Sequence, residues 1–177
     1  MMHMRLPFLL FPCWFACVAT AVAAPEPGVL PGECRAALRP LLLQNPPPRD
    51  ELLAVRSFCV AQAEAGDADA EYQLAMFYLG LVDWDVDQAV PMIQSAARNG
   101  VPEAQYWLAW QYDEGPLLPN DAQLALQWYR AAGENEHRLA LTRLAVAYQN
   151  GDLGLAIDEN KALEMRAKAE ACANQGG

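Results

Sequence analysis

Three aspartates on alternate positions, in LVDWDVDQAV at residues 81–90, are the first group whose spacing could do chemistry. Asp83, Asp85 and Asp87 could open a calcium loop, form a catalytic acid cluster or precede a helix. A twelve-position calcium loop starting at Asp83 would place glutamine both where glycine is needed and where a bidentate glutamate belongs. The pattern therefore disfavours calcium, and we predict neither a metal nor a cofactor.

The other side chains that could do chemistry are few and far apart. Beyond the N-terminal stretch the sequence has one histidine, His137, and two serines, Ser57 and Ser95, which lie in other segments than His137. A Ser-His-acid relay would need His137 beside one of them. Cys172 could pair with His137, but neither a helix N-terminus nor a basic neighbourhood is evident to lower the thiol pKa. Zinc would need four ligands, and no C-x-x-C spacing supplies them. We predict that the protein is not an enzyme.

The N-terminus predicts export. MMHMR carries one positive charge, LPFLLFPCWFACVATAV is apolar, and Ala21-Val22-Ala23 is a small-x-small pattern, so residues 1–23 are predicted to be a cleaved signal peptide with the cut near Ala23/Ala24. An uncleaved anchor is the alternative, since the apolar stretch approaches the length that spans a bilayer. Cleavage would leave the chain in the periplasm or secreted.

Charge narrows the range of partners. The chain has 22 acidic and 12 basic residues, and removing Arg5 with the signal changes the net charge from −10 to −11. An acidic chain does not favour nucleic acid or an anionic membrane as a partner. A basic protein partner is compatible with it.

Export changes how the cysteines are interpreted. Cys34 and Cys59 lie in two apolar-periodic segments separated by NPPPR, and antiparallel helices there could bring the two cysteines together. We predict a Cys34–Cys59 disulfide, and Cys172 is then left as a buried thiol, a terminal residue or half of an intermolecular bridge.

Internal repeats dominate the rest of the chain. The segments AEYQLAMFYLG, EAQYWLAWQYDEG and ALTRLAVAYQNG share a Leu-Ala pair and a tyrosine four positions after the leucine, at intervals of 34 and 36 residues. The leucines are Leu74, Leu108 and Leu144. A second segment follows each first one and carries two alanines seven positions apart, a spacing that lets helices approach closely. These alanines are Ala89 and Ala96, Ala125 and Ala132, and Ala162 and Ala169.

An aspartate precedes each second segment by the same offset. Asp85, Asp121 and Asp158 stand four positions before the first alanine, and Asp50 stands four before Ala54. An aspartate before an apolar-periodic run is the expected helix N-cap. All four are therefore predicted to be N-caps, which makes the opening triplet the start of a helix.

AQYWLAWQYDEG followed by NDAQLALQWYRAAG resembles the Sel-one-like repeat, a relative of the tetratricopeptide repeat. The resemblance covers residues 68–100, 102–134 and 136–172, and residues 24–66 are predicted to be a degenerate N-terminal repeat or cap before the repeat region 67–177. It implies an all-α fold, a short right-handed α-solenoid of antiparallel helix pairs, and a non-catalytic role in protein–protein contact.

Comparison of the units suggests a binding surface. Met76, Trp110 and Val146 are apolar in all three units, so they are predicted to be core. Two positions are aromatic in one unit and polar in another, and we predict that they line the concave face, which the resemblance assigns to the first helices, with the aromatics as anchors. These candidates are Trp107, Gln73 and Arg143 at one position, and Phe77 and Gln111 at the other.

Two classes of function follow. One is an exported module that binds a protein on its concave face, for which an immunity-type protein that neutralises a basic secreted toxin is a specific version. The other is an accessory subunit of a cell-wall or exopolysaccharide enzyme complex, in which aromatic side chains could contact sugar.

Overall fold

The computed structural model describes residues 32–175, which form eight α-helices joined by short connections. The helices are α1 Glu33–Leu42, α2 Arg49–Glu64, α3 Ala68–Tyr78, α4 Val86–Arg98, α5 Pro102–Asp113, α6 Ala122–Glu134, α7 Arg138–Asn150 and α8 Glu159–Gln175. The predicted signal peptide and its cleavage site lie outside the described residues. None of the helices in the described part of the chain is both long and apolar enough to cross a bilayer.

The helices pack in pairs, and each pair stacks on the next. Every helix contacts its successor, and α1 also contacts α3. The predicted all-α fold of stacked helix pairs is confirmed as a solenoid of the tetratricopeptide-like kind. The core runs between units: one buried cluster contains Ala75 of α3, Ile93 of α4 and Leu108 of α5. A pair cannot bury its apolar face alone, so stacking supplies the burial that holds the chain together.

Small residues set the distance between the helices of a stack. The six alanines at the seven-residue spacing are all buried, as are the three repeat leucines. An alanine costs no side-chain entropy on burial and lets two helix backbones approach closely. Larger residues fill the space beside them, and Ile93 and Tyr129 are almost fully buried.

The prediction that Trp110 and Val146 are core was wrong, and Met76 is only partly buried against the second core cluster. Trp110 is 39% exposed and Val146 is 37% exposed, and Met76 is half-buried. These residues stand two positions after the repeat leucine, which is about 200° around the helix from that buried leucine. The next position, three after the leucine, returns to within about 60° of it, and Phe77 there is fully buried.

Aspartates begin three of the second helices. The side chain of Asp85 accepts a hydrogen bond from the backbone N–H of Gln88 at 3.2 Å, and Asp121 accepts from Gln123 at 2.9 Å. Asp158 accepts from the N–H of Lys161 at 3.0 Å. The peptide N–H of each aspartate also donates to a tyrosine carbonyl of the preceding helix at 2.8 Å, which closes the connection between the two helices.

The prediction for Asp50 was wrong. Helix α2 begins one residue earlier, at Arg49, with Pro48 in the N-cap position, and no side chain caps it. The fixed φ of proline suits a residue beside the first turn. Asp50 lies inside that turn instead, where a negative charge is favourable to the helix dipole.

The predicted disulfide joins Cys34 of α1 to Cys59 of α2, with 5.1 Å between their Cα atoms. Both cysteines are fully buried and belong to the first core cluster, which also contains Leu38 and Phe77. The bond therefore fixes the N-terminal pair where α1 covers α3. Cys172 is a free, half-buried thiol in α8.

The turns that lead from each second helix into the next unit share one left-handed residue. Gly66 and Gly100 adopt φ values of 93° and 88°, and nothing lies within 4 Å of a Cβ added at either glycine. The third turn has the non-glycine residue Glu136 at φ 60°. A left-handed backbone costs a non-glycine residue about 1 kcal/mol, so the third turn carries a strain that the first two avoid.

Glu136→Gly is expected to raise the free energy of unfolding by about 1 kcal/mol, because it relieves the left-handed backbone. Gly100→Ala is the matched reverse change and should lower it by a similar amount. Urea unfolding followed by circular dichroism measures both. A lower stability for Glu136→Gly would contradict the assignment of strain to this turn.

Candidate interaction face

One stripe of each first helix carries equivalent positions of the repeat, and we call the combined surface of these stripes on α1, α3, α5 and α7 the first-helix face. Equivalent positions in the four units form three rows across it. The charged row contains Arg35, Asp69, Glu103 and, in the last unit, Leu139. The tyrosine row contains Leu38, Tyr72, Tyr106 and Thr142. The apolar row contains Leu42, Met76, Trp110 and Val146.

The charged row ties three units together. Arg35 donates from Nε to Asp69 at 3.2 Å, and its two terminal nitrogens form ion pairs with Asp69 and Glu103. Burial alone would raise the pKa of Glu103, but the hydrogen bond and charge of Arg35 outweigh burial and hold that pKa below its usual value. Since Arg35 follows the disulfide residue Cys34, α1 is held on two sides.

The tyrosine row fills the space between units. Burial, reinforced by the negative charge of Glu103, raises the pKa of Tyr72 to about 12. The ring of Tyr106 stacks on the imidazole of His137 with 4.5 Å between centroids and lies 6.0 Å from the ring of Tyr129. These tyrosines therefore serve the packing of one unit on the next.

His137 is the N-cap of α7. Its Nδ1 accepts a hydrogen bond from the N–H of Ala140 at 3.3 Å, which requires the neutral imidazole. Burial lowers the pKa of His137, with the attraction of Glu103 opposing that shift and the charge of Arg138 adding to it. The single histidine of the described chain thus has a structural role that depends on its being uncharged.

The apolar row is largely accessible to solvent. Leu42 is 45% exposed, Trp110 39% and Val146 37%, and the half-buried Met76 lies between the first two. A hollow of about 420 Å³ opens beside Leu42 and Met76, and Leu38, Leu79 and Leu81 also line it. Side chains of this size, repeated at one position in four units, make an apolar strip that water covers.

Three predicted binding residues prove to be interior. Phe77 is fully buried in the first core cluster and so cannot act as a surface anchor. Gln111 is 2% exposed, and its side-chain oxygen accepts the N–H of Leu117 at 3.0 Å, which fastens the loop after α5. Gly115 makes this approach possible because a Cβ there would collide with Gln111. Gln73 is 8% exposed and lines the rear of the hollow.

Trp107 and Arg143 lie at the boundary of the face. Trp107 is half-buried and packs against the second core cluster. Arg143 donates from Nε to Asp113 at 2.8 Å and from Nη1 to Asp152 at 3.2 Å, so its charge joins the second unit to the third. The phenol of Tyr129 also donates to Asp113, at 3.2 Å. Two carboxylates already satisfy this guanidinium.

The exposed row could have been found from the sequence by helical angle. An apolar residue at the same position of every unit suggests a place in the core, although the pattern fits a repeated exposed residue equally well. Placing residues at 100° intervals puts Trp110 far from the buried Leu108 and Gln111 close to it. Gln111 is polar, so the sequence does not indicate that it is buried. Its burial is possible because the N–H of Leu117 donates to its side-chain oxygen.

Within residues 32–175 no three His, Cys, Asp or Glu side chains are grouped so that they could hold a metal ion. Ser57 donates to the carbonyl of Leu53 in its own helix at 3.1 Å. The geometry therefore defines a helical-repeat scaffold that presents a surface.

The chain belongs to the Sel1 repeat family, which matches residues 68–101, 102–137 and 138–172. Such repeats mediate protein interactions, and the scaffold is typically non-catalytic. The first and second matched units together contain α3 to α6, and the third contains α7 and most of α8. The described N-terminal pair α1 and α2 precedes the matched region.

Two solved structures share this fold. A Sel1 repeat protein from Oxalobacter formigenes is 31% identical, with a TM-score of 0.61 over 68% of this chain and 90% of that one. The protective antigen c5321 of uropathogenic Escherichia coli is 33% identical, with a TM-score of 0.59 over 70% of this chain and 26% of that one.

A similarity also exists to a yeast protein. The chitin synthase regulator SKT5 of Saccharomyces cerevisiae is 30% identical over 112 residues, which are 61% of this chain. The match spans 15% of the yeast protein.

The cap at His137 predicts a specific pH dependence. Because the folded-state pKa lies below the unfolded value of about 6.5, the neutral cap contributes its full stability above pH 7 and loses it as the pH falls through 6.5. His137→Asn keeps an N-cap that does not titrate. Between pH 7.5 and 5.5 the free energy of unfolding of the native chain should fall relative to that of the variant, by about 1 kcal/mol or less.

Urea unfolding at several pH values measures this difference. The carboxylates are common to both proteins, so subtraction isolates the histidine. Parallel stability profiles for the two proteins would contradict the neutral-cap assignment.

Proposed function

We propose that the protein is an exported, non-catalytic binding module that holds a partner protein on its first-helix face. The observation that carries the proposal is the apolar row: Leu42, Trp110 and Val146 stay between 37% and 45% exposed although a well-packed core lies directly beneath them. Tryptophan is enriched among interaction hot spots, and contiguous exposed apolar surface often marks a site of protein interaction. Trp110 replaces Trp107 and Phe77 as the central anchor.

Rigidity of the face supports a recognition role. Arg35 ties α1, α3 and α5 together, and Arg143 ties α7 to the end of α5. A surface fixed in this way loses little conformational entropy when a partner binds. The partner would therefore meet a preformed site.

Export is supported by two independent observations. The N-terminal sequence has the order of charge, apolar run and small residues that a signal peptide has. The Cys34–Cys59 disulfide is a bond that persists in oxidising compartments such as the periplasm. Both observations support our proposal that the protein works in the periplasm or outside the cell.

Two finer versions of the function differ in the partner. The net charge of −11 that the chain carries without its predicted signal favours an immunity-type protein with a basic toxin as its target, since opposite charges speed association. Similarity to a chitin synthase regulator favours instead an accessory subunit of a polysaccharide-synthesising complex. A toxin complex should weaken steeply with salt, whereas an accessory subunit should be captured together with a glycan-active enzyme.

The proposal predicts that Trp110→Ala abolishes capture of the partner. Immobilised residues 24–177 are incubated with envelope proteins of the source cells, and the retained proteins are identified by mass spectrometry. Trp84→Ala is the matched control, because Trp84 is 68% exposed in a loop outside the first-helix face. We expect a protein that the native chain and Trp84→Ala retain and that Trp110→Ala loses.

Equal retention by all three proteins would contradict the assignment of the face. Retention that is lost with Trp84→Ala alone would move the binding site to the loop edge.

A further inference from the structure

We propose that the junction between the second helices α6 and α8 holds a binding site for a free aromatic amino acid. The site is a cavity of about 190 Å³ that residues of α6, α7 and α8 line. None of the lining residues belongs to the three rows of the first-helix face. The inference therefore concerns a small ligand and a different surface from that of the partner protein.

The cavity comes from a loss of side-chain volume at this junction. Each junction of consecutive second helices has two equivalent repeat positions, one on the earlier helix and one on the later. In the first two junctions both residues belong to, or pack against, one core cluster. The third junction has glycine where the others have valine or alanine, and methionine where the second has tryptophan. The pairs are Val60 with Met92, Ala97 with Trp128, and Gly133 with Met165.

The lining from α7 and α8 is mainly apolar. Leu141 and Leu144 of α7 line the cavity, and a Cβ added to Gly133 would lie 3.1 Å from Cδ2 of Leu141. Met165 lines it from α8, and a thioether is a favourable neighbour for an aromatic ring. An apolar cavity of about 150 Å³ is enough to hold benzene. A space of about 190 Å³ therefore accommodates one aromatic ring.

Two opposite charges line the cavity from α6. Arg130 and Glu134 are exposed and stand four residues apart, so they lie on the same side of the helix. Neither forms an ion pair in the described part of the chain, and Nη2 of Arg130 donates to the phenol oxygen of Tyr148 at 3.4 Å. Lys168, the other cation of the lining, is paired with Glu164 at 2.7 Å. The site thus offers one guanidinium and one carboxylate to a ligand.

These groups match a zwitterion that carries an aromatic ring. The ring contacts the leucines and Met165, the ligand's carboxylate accepts hydrogen bonds from Arg130, and its ammonium donates to Glu134. Both charges must be on the residue that carries the ring. A residue at either end of a peptide has only one of the two charges, and an internal residue has neither. The ligand class is therefore a free amino acid.

The first experiment locates the ligand by NMR. L-Phenylalanine is added to residues 24–177 with isotopically labelled methionine methyl groups. Three of the six methionines lie in this range, and of these Met165 lines the cavity, whereas Met76 lines the hollow of the first-helix face. We expect a saturable shift of the Met165 signal and none of the Met92 signal. No shift at Met165, or a shift at Met76 alone, would overturn the inference.

Two analogues separate a free amino acid from the ends of a peptide. Phenylalaninamide lacks the carboxylate, as an N-terminal residue does, and N-acetylphenylalanine lacks the ammonium, as a C-terminal residue does. Each should bind about tenfold more weakly than phenylalanine, because each loses one charge-assisted contact. If either analogue binds as tightly as phenylalanine, the site accepts a peptide end and the free amino acid is refuted.

The arginine is tested by its effect on one charge of the ligand. Arg130→Met should weaken phenylalanine binding about tenfold and leave phenylalaninamide binding unchanged, because only the carboxylate loses its partner. Arg98→Met is the matched control, since it removes another exposed arginine from a second helix, α4, and should affect neither ligand. Equal weakening of both ligands by Arg130→Met would contradict the carboxylate contact.

The cavity itself is tested by filling it. Met165→Trp introduces the residue that the second junction has at this position, and it should abolish phenylalanine binding in isothermal titration calorimetry. Circular dichroism verifies that each variant is folded. Undiminished binding to folded Met165→Trp would place the ligand outside the cavity and overturn the inference.

Discussion

Burial of apolar surface between successive helix pairs is the interaction on which everything else in this structure depends. Leu108 and Ala109, neighbours in α5, belong to two different buried clusters, so one helix contributes to the core on both of its sides. The buried alanines keep the helices close, and the aspartates that begin three of the second helices fix where each pair turns. Because these terms recur in every unit, equivalent positions of the first helices repeat from unit to unit.

The N-terminal pair departs from the repeat and is held by different means. On its buried side, α1 is held by the disulfide and by the core residues Leu38 and Leu41. On its surface side, Arg35 forms ion pairs with Asp69 and Glu103 of the next two units. This attachment extends the apolar row by one member, Leu42. A pair outside the Sel1 matches thus completes the face that the three matched units begin.

Sequence reasoning predicted the elements better than the surface. The interval of 34 and 36 residues, the small-residue spacing and the leucines were enough to predict stacked helix pairs, because those features are the packing itself. The disulfide followed from two apolar-periodic segments and a tight connection. The N-cap prediction for Asp50 was wrong because it relied on the offset that Asp50 shares with the other aspartates. Helix α2 starts one residue before Asp50, with Pro48 in the N-cap position.

The face was mispredicted because polarity is a weak guide to burial in a repeat. Gln111 is buried since a loop N–H satisfies it, and Phe77 is buried because α1 covers α3. The apolar character of Trp110 and its equivalents predicts a core position, but the angle of Trp110 on the helix exposes part of its side chain to solvent. Contacts between units, such as those of Arg35 and of His137, join residues that are far apart in sequence. No local sequence pattern predicts such contacts.

The central claim is that apolar residues on one helix divide into those that hold the stack and those that are free to bind. Leu108 and Trp110 test it most directly because they lie two residues apart on α5. Leu108 is fully buried, whereas Trp110 is 39% exposed. Urea unfolding of Leu108→Ala should show a loss of about 2–5 kcal/mol in the free energy of unfolding, and Trp110→Ala a smaller loss, because part of the indole is in water in the folded state. A comparable loss from Trp110→Ala would mean that this side chain is part of the core, and the account of the first-helix face would be wrong.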